Sequence, residues 1–314
     1  MPRDFAGGSP PRVAILMATY NGARFLEAQL NSIAAQDYPV IDIVASDDGS
    51  RDETGALLTR LGAGWRKGAF RWRQGPQKGF AENFRALLTD PAVSADYLAF
   101  CDQDDVWEPD KLSTAVAALR RYGDRPALFC SRTRLIDENG RDVGTSPDFS
   151  KPPSFGNALV QSIAGGNTMV FNRGAHRLLA EAARRTGFVS HDWFAYQLVA
   201  GAGGEVIFAR RPLVRYRQHE SNLVGTNRGL RPALARLVAA FGGRFSRWTD
   251  ENCATLLACR DLLTKEARAQ FDVLREGRRG GPTQRLRMIR AAGLFRQTAM
   301  GQIALYAAVL LGKV

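Results

Sequence analysis

Two rhythms alternate along the first two thirds of the chain. Short continuous apolar runs of strand length are each followed by a polar turn. A stretch with apolar residues at helical spacing then follows. Residues 12–18 (RVAILMA) form the first run, the kind expected of a strand covered on both faces. Thr19-Tyr20-Asn21-Gly22 is a turn signal, and the next stretch places Phe25, Leu26, Leu30 and Ile33 on one helical face. The pattern repeats as a strand over 41–46 and a helix over about 52–61, then a strand over 70–75 and a helix over 79–88. Residues 97–101 (YLAFC) are a further buried strand, and Pro109 opens a helix over 110–122. Strand, short loop and helix in repetition predict an α/β chain with a mostly parallel sheet.

Beyond residue 122 the pattern is less regular. A strand is expected near 128–131, a turn at Asp137-Glu138-Asn139-Gly140, and a Pro/Ser-rich excursion over 145–157. Residues 165–171 (GGNTMVF) read as a strand entered through two glycines, followed by helices over 174–184 and 192–200. Two closing strands, 205–209 and 213–217, lead into the polar loop YRQHESN. From 230 onward only helices are expected, broken near Gly242-Gly243 and at 277–282.

Charge divides the chain in the same place. The net charge is +12, and residues 228–314 hold 16 Lys and Arg against 6 Asp and Glu, which leaves the first 227 nearly neutral. A nearly neutral body with a basic helical tail suits an anionic membrane surface, although a tail helix packed back on the body fits the same residues. Sixteen uncharged residues between Arg296 and Lys313 fall short of a membrane span of about 20. Nucleic-acid binding is disfavoured, because the basic residues lack interleaved aromatics. The four cysteines form no CxxC pair and read as reduced thiols in a cytoplasmic setting. Residues 13–18 are too short for a secretory core and are better read as a strand.

The chemistry concentrates where strands end. In parallel sheets, ligands bind off the carboxyl ends of the strands. Here those ends carry Thr19-Tyr20-Asn21, Asp47-Asp48-Gly49-Ser50 and Asp102-Gln103-Asp104-Asp105. Three carboxylates within four residues repel one another unless a cation sits among them, and a hard divalent ion carrying a diphosphate is the usual resolution. A solvated acidic loop is the plainer alternative, and Asp48-Gly49-Ser50 is also an ordinary capping turn.

The ordered set Thr19-Tyr20-Asn21, Asp47-Asp48-Gly49-Ser50, DQDDVW at 102–107, His191-Asp192-Trp193 and His219 resembles family 2 glycosyltransferases of the GT-A, SpsA-like kind. The form DQDDVW, with GFAENFRALL before it and YRQHESN after, is most similar to the bacterial rhamnosyltransferase-like branch. The resemblance covers about residues 12–222. It implies a GT-A nucleotide-diphospho-sugar transferase fold over 12–227, with a nucleotide-binding half to about 107 and an acceptor half from 108. Residues 1–11 would be a loose lead-in, and 228–314 a helical basic extension.

The resemblance also implies roles. Thr19, Tyr20, Asn21, Asp47 and Asp48 would hold the nucleotide base, Tyr20 offering a stacking face. Asp102, Gln103 and Asp104 would serve ribose and metal, with Asp104 the direct ligand of Mn²⁺ or Mg²⁺, and Asp102 and His219 completing the set; closing a loop over the bound donor is the alternative role for His219. Asp105 would support that shell or cap the next helix. Gly166 and Asn167 would let the backbone approach the donor sugar or the acceptor closely, with a simple turn into a strand as the plainer reading. Asp192 would be the general base of an inverting transfer, with a helix N-cap as the plainer reading. The family's more frequent Glu-Asp pair is His-Asp here, which leaves His191 without an implied role. Lys78 and Arg85 are candidate diphosphate contacts, or plain surface charges. The implied donor is a dTDP- or UDP-sugar, dTDP-rhamnose first. The implied acceptor is a saccharide or lipid-linked glycan in cell-surface polysaccharide synthesis, at the inner face of the bacterial membrane. A UDP-sugar glucosyl- or galactosyl-type transferase, or a nucleotide-sugar-binding protein without turnover, remain open alternatives.

Overall fold

A computed structural model describes residues 10–219 and 244–314. A nine-stranded sheet runs through it. The strands are β1 (Val13–Thr19), β2 (Ile41–Asp47), β3 (Phe70–Gln74), β4 (Tyr97–Cys101), β5 (Val106–Trp107), β6 (Ala127–Ile136), β7 (Asp142–Thr145), β8 (Val170–Asn172) and β9 (Glu205–Arg217). Their order is β3-β2-β1-β4-β8-β6-β9-β5, with β7 pairing β6. The first four are parallel, whereas β8 runs antiparallel to β4 and β6. The helices are α1 (Ala23–Ala34), α2 (Thr54–Ala63), α3 (Phe80–Leu88), α4 (Lys111–Leu119), α5 (Phe155–Ala158), α6 (Arg173–Arg185), α7 (His191–Gly201), α8 (Arg244–Ala258), α9 (Lys265–Arg279), α10 (Pro282–Ala291) and α11 (Ala299–Leu310).

The apolar runs were read as strands covered on both faces, and their side chains divide that way. In β1, Ala14 and Leu16 enter one hydrophobic core, while Val13, Ile15 and Met17 enter the other. Such alternation follows from the two-residue period of a strand. The second core is closed by Leu26, Leu30 and Ile33 of α1, Leu58 of α2, and Leu112 and Val116 of α4. On the first face lie Phe84 of α3, Phe155 of α5, Leu179 of α6 and Phe194 of α7.

Several expected boundaries move. The strand expected over 165–171 begins only at Val170, because residues 166–168 wind into a 3₁₀ turn stabilised by Thr168 N–H donating to the Gly165 carbonyl at 3.1 Å. The two closing strands are one, β9, pairing with β6 in parallel across a register shift between Ser131 and Thr133. Helix 110–122 is α4 followed by a 3₁₀ turn at Arg120–Tyr122. Phe25 leaves the core face of α1: its ring lies 5.4 Å from that of His219. The break expected near Gly242-Gly243 lies outside the described residues.

The C-terminal helices pack back on the body. Phe271, Leu274, Met288, Ile289, Leu305 and Val309 share one core with Leu16 and Phe84. Polar bonds fix the same joint. Asn157 Nδ2 donates to the Phe295 carbonyl at 2.8 Å, and Gln297 Nε2 donates to the Lys151 carbonyl at 3.0 Å. Among the described residues no helix is long and apolar enough to cross a membrane.

Candidate active site

Register brings the predicted motifs together. Pairing β1 with β2 sets Thr19 beside Asp47, and pairing β1 with β4 sets Met17 beside Cys101. The three motif loops therefore leave the same carboxyl edge. Side chains then tie them to one another. Gln103 clamps the Tyr20 backbone at two points: its Oε1 accepts from Tyr20 N–H at 2.8 Å, and its Nε2 donates to the Tyr20 carbonyl at 2.9 Å. Residue 22 must be glycine for this clamp, because a Cβ there would stand 2.0 Å from Gln103 Oε1.

Asp47 and Asp48 are buried and turned inward. Asp47 accepts from the Thr19 hydroxyl at 2.8 Å and from the Ser50 backbone at 2.9 Å. Asp48 accepts from the backbone N–H groups of Gln77 and Gly79 at 2.6 and 2.7 Å. Asn21 N–H donates to Ser50 Oγ at 2.8 Å, which joins the first loop to the second. Tyr20 is 55% exposed and leaves a ring face open beside these loops.

The acidic loop divides its carboxylates by environment. Asp105 is fully buried and is held by Asn167 Nδ2 at 2.5 Å and by the Arg217 backbone N–H at 3.1 Å. Burial, and then the charges of Asp104 and Asp102, hold its carboxyl well above the usual range. It anchors the loop, while Asp110 occupies the N-cap position of α4 with its carboxylate turned to Arg211. Asp102 is pushed up to about 7, by burial first and then by the charges of Asp104 and Asp192. His191, next to Asp192, packs edge-on against Phe100, two positions before Asp102, so two carboxylates 90 positions apart in the chain share a neighbourhood and repel each other. Asp102 keeps an accessible edge, so a counter-ion can reach it.

His219 Nε2 lies 2.8 Å from Asp104 Oδ2. Arg217 delivers it there. The Arg217 side chain donates to the carbonyls of Asp104 at 2.9 Å and Glu138 at 2.9 Å, and its guanidinium sits 4.6 Å above the Phe25 ring. One carboxylate and one imidazole thus meet at the strand edge, a donor pair suited to Mn²⁺. Among the described residues no three His, Cys, Asp or Glu side chains gather as a cation site. A metal here would draw its remaining ligands from a substrate diphosphate and water, as Mg²⁺ and Mn²⁺ sites with open positions do.

Helix α7 supplies Asp192. Because β8 runs against its neighbours, α6 carries the chain back to the carboxyl edge, and α7 begins there. Ser190 occupies the N-cap position and Asp192 lies in the first turn, half-buried, accepting from Trp193 N–H at 2.7 Å. Asp192 is thus not the N-cap residue, yet its carboxylate satisfies a first-turn backbone N–H, so the plainer structural reading stands beside the catalytic one. Its neighbour His191 is 6% exposed, stacked on Phe84 at 3.6 Å and edge-on to Phe100 at 4.7 Å, with neither ring nitrogen hydrogen-bonded. Burial pushes its pKa down to about 4. A Cβ at Gly166 would stand 1.9 Å from His191 Nε2, so that glycine makes room for the imidazole.

Other candidates lie elsewhere. The Asn167 side chain turns to Asp105, and its carbonyl accepts from buried Lys111 Nζ at 2.7 Å. Arg85 faces away, paired with Glu82 and reaching the Ala183 carbonyl. Lys78 is exposed between Gln77 and Gly79. Lys111 was missed from the sequence. Its ammonium sits 3.1 Å from the centre of the Trp107 ring, and burial lowers its pKa to about 7. Arg217 carried a sequence signal only through its nearness to His219.

Comparison with known proteins agrees with this geometry. The family model described as glycosyl transferase family 2 matches residues 14–181. The dTDP-rhamnosyl transferase RfbG of Shigella flexneri is 28% identical over 229 residues, spanning 70% of this chain and 78% of RfbG. An uncharacterised glycosyltransferase of Nostoc sp. is 34% identical over 108 residues, about a third of each chain. Among solved structures, S. aureus TarS 1-349 in complex with UDP superposes with a TM-score of 0.54 at 15% identity, over 96% of this chain and 90% of that one. The mannosyltransferase PcManGT from Pyrobaculum calidifontis, in complex with GDP-Man and Mn²⁺, gives a TM-score of 0.50 at 18% identity, over 98% and 89%. These likenesses and the converging strand ends lead to one identification: the chain is a glycosyltransferase of the GT-A fold and belongs to glycosyl transferase family 2.

Proposed function

We propose that this enzyme transfers a sugar, with inversion, from a nucleotide-diphospho-sugar to a saccharide or lipid-linked glycan hydroxyl. What supports the reading is that His219 lies against Asp104 while the start of α7, with His191 packed on Phe100, sets Asp192 on the Asp102 side of the sheet, so that three distant parts of the chain converge. The order of events follows from their positions. The base lies on Tyr20 while Asp47 and Asp48 keep the surrounding loops in shape. Asp104 and His219 are the side chains that would hold a divalent cation, with the carboxylate of Asp102 available near by. When bound, that cation neutralises charge on the diphosphate as it departs.

Asp192 accepts the proton of the acceptor hydroxyl. The freed oxygen forms a bond to the anomeric carbon from the face opposite the diphosphate. The bond from that carbon to the phosphate oxygen breaks, and the nucleoside diphosphate leaves with its electron pair. Burial of the ring stack beside Asp192 keeps the start of α7 in place.

The similarity to RfbG makes dTDP-rhamnose the first donor to test, and UDP-sugars the second. Thermal-shift titration with dTDP-rhamnose, UDP-glucose and UDP-N-acetylglucosamine, each with and without Mn²⁺, identifies the donor, because a ligand bound only by the folded state raises the midpoint with occupancy. Release of nucleoside diphosphate in the presence of bacterial lipid extract then reports transfer. Asp192→Asn should keep the donor-induced shift and lose transfer by about 10²–10⁴-fold. Undiminished turnover by that variant, or the same midpoint with every donor, refutes the reading.

A further inference from the structure

Helix α11 carries no charged residue, and its apolar residues surround it completely. Leu305, Ala308 and Val309 face the core. Met300, Ile303, Tyr306 and Leu310 stand on the opposite side, since 100° per residue sets the two groups about half a turn apart. Met300 is 72% exposed and Ile303 62%, and Leu311 prolongs the ridge at 60%. A helix that is apolar all round is ordinarily covered all round, and a contiguous exposed ridge of this kind marks a contact surface.

Its surroundings say what covers it. From residue 277 to 314 the chain carries seven Lys and Arg and no Asp or Glu. Arg285 reaches the Leu310 carbonyl at 3.4 Å, which places a cation at one end of the ridge. Lys151 donates to the Arg296 carbonyl at 3.0 Å, which places another near the start of the helix. Arg287 and Arg290 are exposed on α10, which packs against α11. A second copy of this chain fits poorly, because two-fold packing sets like patch on like patch and so cation against cation. The ridge is also about 18 Å long, one helix wide, short of the ~800 Å² per partner of a standard interface.

We infer that this ridge docks on an anionic bilayer, α11 lying in the plane of the interface with its apolar side down and the flanking cations on lipid phosphates. The side chains suit that depth: Met, Ile and Leu enter the acyl boundary, and Tyr306 sits at headgroup level. The docking is independent of the donor and of the transfer chemistry. It also orients the enzyme, since the joint after α10 packs on α5 (Gly293 carbonyl against Gly156), and α5 packs on α7, the helix bearing Asp192.

Flotation of the full chain with vesicles tests the inference, using phosphatidylcholine alone and phosphatidylcholine with about a third phosphatidylglycerol. We expect binding to the anionic vesicles only, weakening between 0.1 and 0.5 M salt as charge is screened, on the order of the Debye-length change. Ile303→Glu should lower partition at least about tenfold, since it sets a charge in the acyl boundary. Arg287→Gln with Arg290→Gln should lower it by about twenty-five-fold, at about fivefold per cation removed. All these positions are exposed, so an unchanged melting midpoint verifies that the variants fold. Equal binding to neutral vesicles, no binding to either, or partition indifferent to both variants overturns the inference. So does a concentration-dependent dimer that Ile303→Glu dissolves while vesicles capture nothing.

Discussion

His191 offers a measurement that reads the site's foundation directly. The ring is enclosed by Phe84 and Phe100, and neither nitrogen has a partner. Burial disfavours the imidazolium, so the folded-state pKa falls to about 4 from the ordinary 6.5. Asp192 pulls the other way and does not offset the burial. A histidine with a depressed folded pKa stabilises the protein above its unfolded pKa, and that stability is lost as pH falls towards the folded value. The window is therefore pH 6.5 down to 4. A shift of about 2.5 units corresponds to about 3 kcal/mol over the whole window, and about 2 kcal/mol by pH 5.

The perturbation is His191→Leu, which removes the titration and both unpartnered nitrogens while keeping an apolar filler against Phe84. The assay is urea denaturation of wild type and variant at pH 7.5 and 5.0, read as midpoints with the slope checked for constancy. The difference between the two proteins should move by about 2 kcal/mol in favour of the variant on acidification. Other titrating groups are common to both and cancel in the comparison. An identical pH dependence for the two would mean that the imidazole has a proton partner or solvent, and the enclosed stack would be wrong.

Further tests follow from the same contacts. Asp105→Ala leaves the Asn167 amide and the Arg217 backbone N–H without their buried acceptor, and should cost about 1–3 kcal/mol in denaturant stability; a loss of nothing, or a gain, would show the anchor to be dispensable. Arg217→Met should weaken Mn²⁺ dependence about 10–100-fold in a titration of activity or thermal shift, because it disrupts what sets His219 against Asp104. Arg217→Lys should not rescue it, since a single ammonium cannot bridge the carbonyls of Asp104 and Glu138 as the guanidinium fork does. An unaltered Mn²⁺ midpoint would remove Arg217 from the positioning role. Phe271→Ala should cost about 3–5 kcal/mol in one cooperative transition, as expected for a fully buried ring in a core shared with β1. A separate low-temperature transition would instead mean that the C-terminal helices melt on their own.

The alternation of strand and helix, the parallel sheet and the convergence of strand ends were legible in the sequence, because they depend on local periodicity and on turn chemistry. Residues 12–18, 41–46 and 97–101 are short, largely apolar runs bounded by turn signals, which reads as covered strands, and the polar tips after them share an edge once the sheet is parallel. Tertiary structure decided the rest. Which of three adjacent aspartates faces solvent is a matter of burial: Asp105 turns to Asn167 and Arg217, while Asp104 meets His219. The single strand β9 is held by pairing with β6, a partner about 80 residues earlier that no local window includes. The same holds for the basic tail. Its composition allowed a free interfacial helix or a packed one, and only the joint at Asn157, Gly293 and Phe295 commits one side of α11 to the core while leaving the other side open.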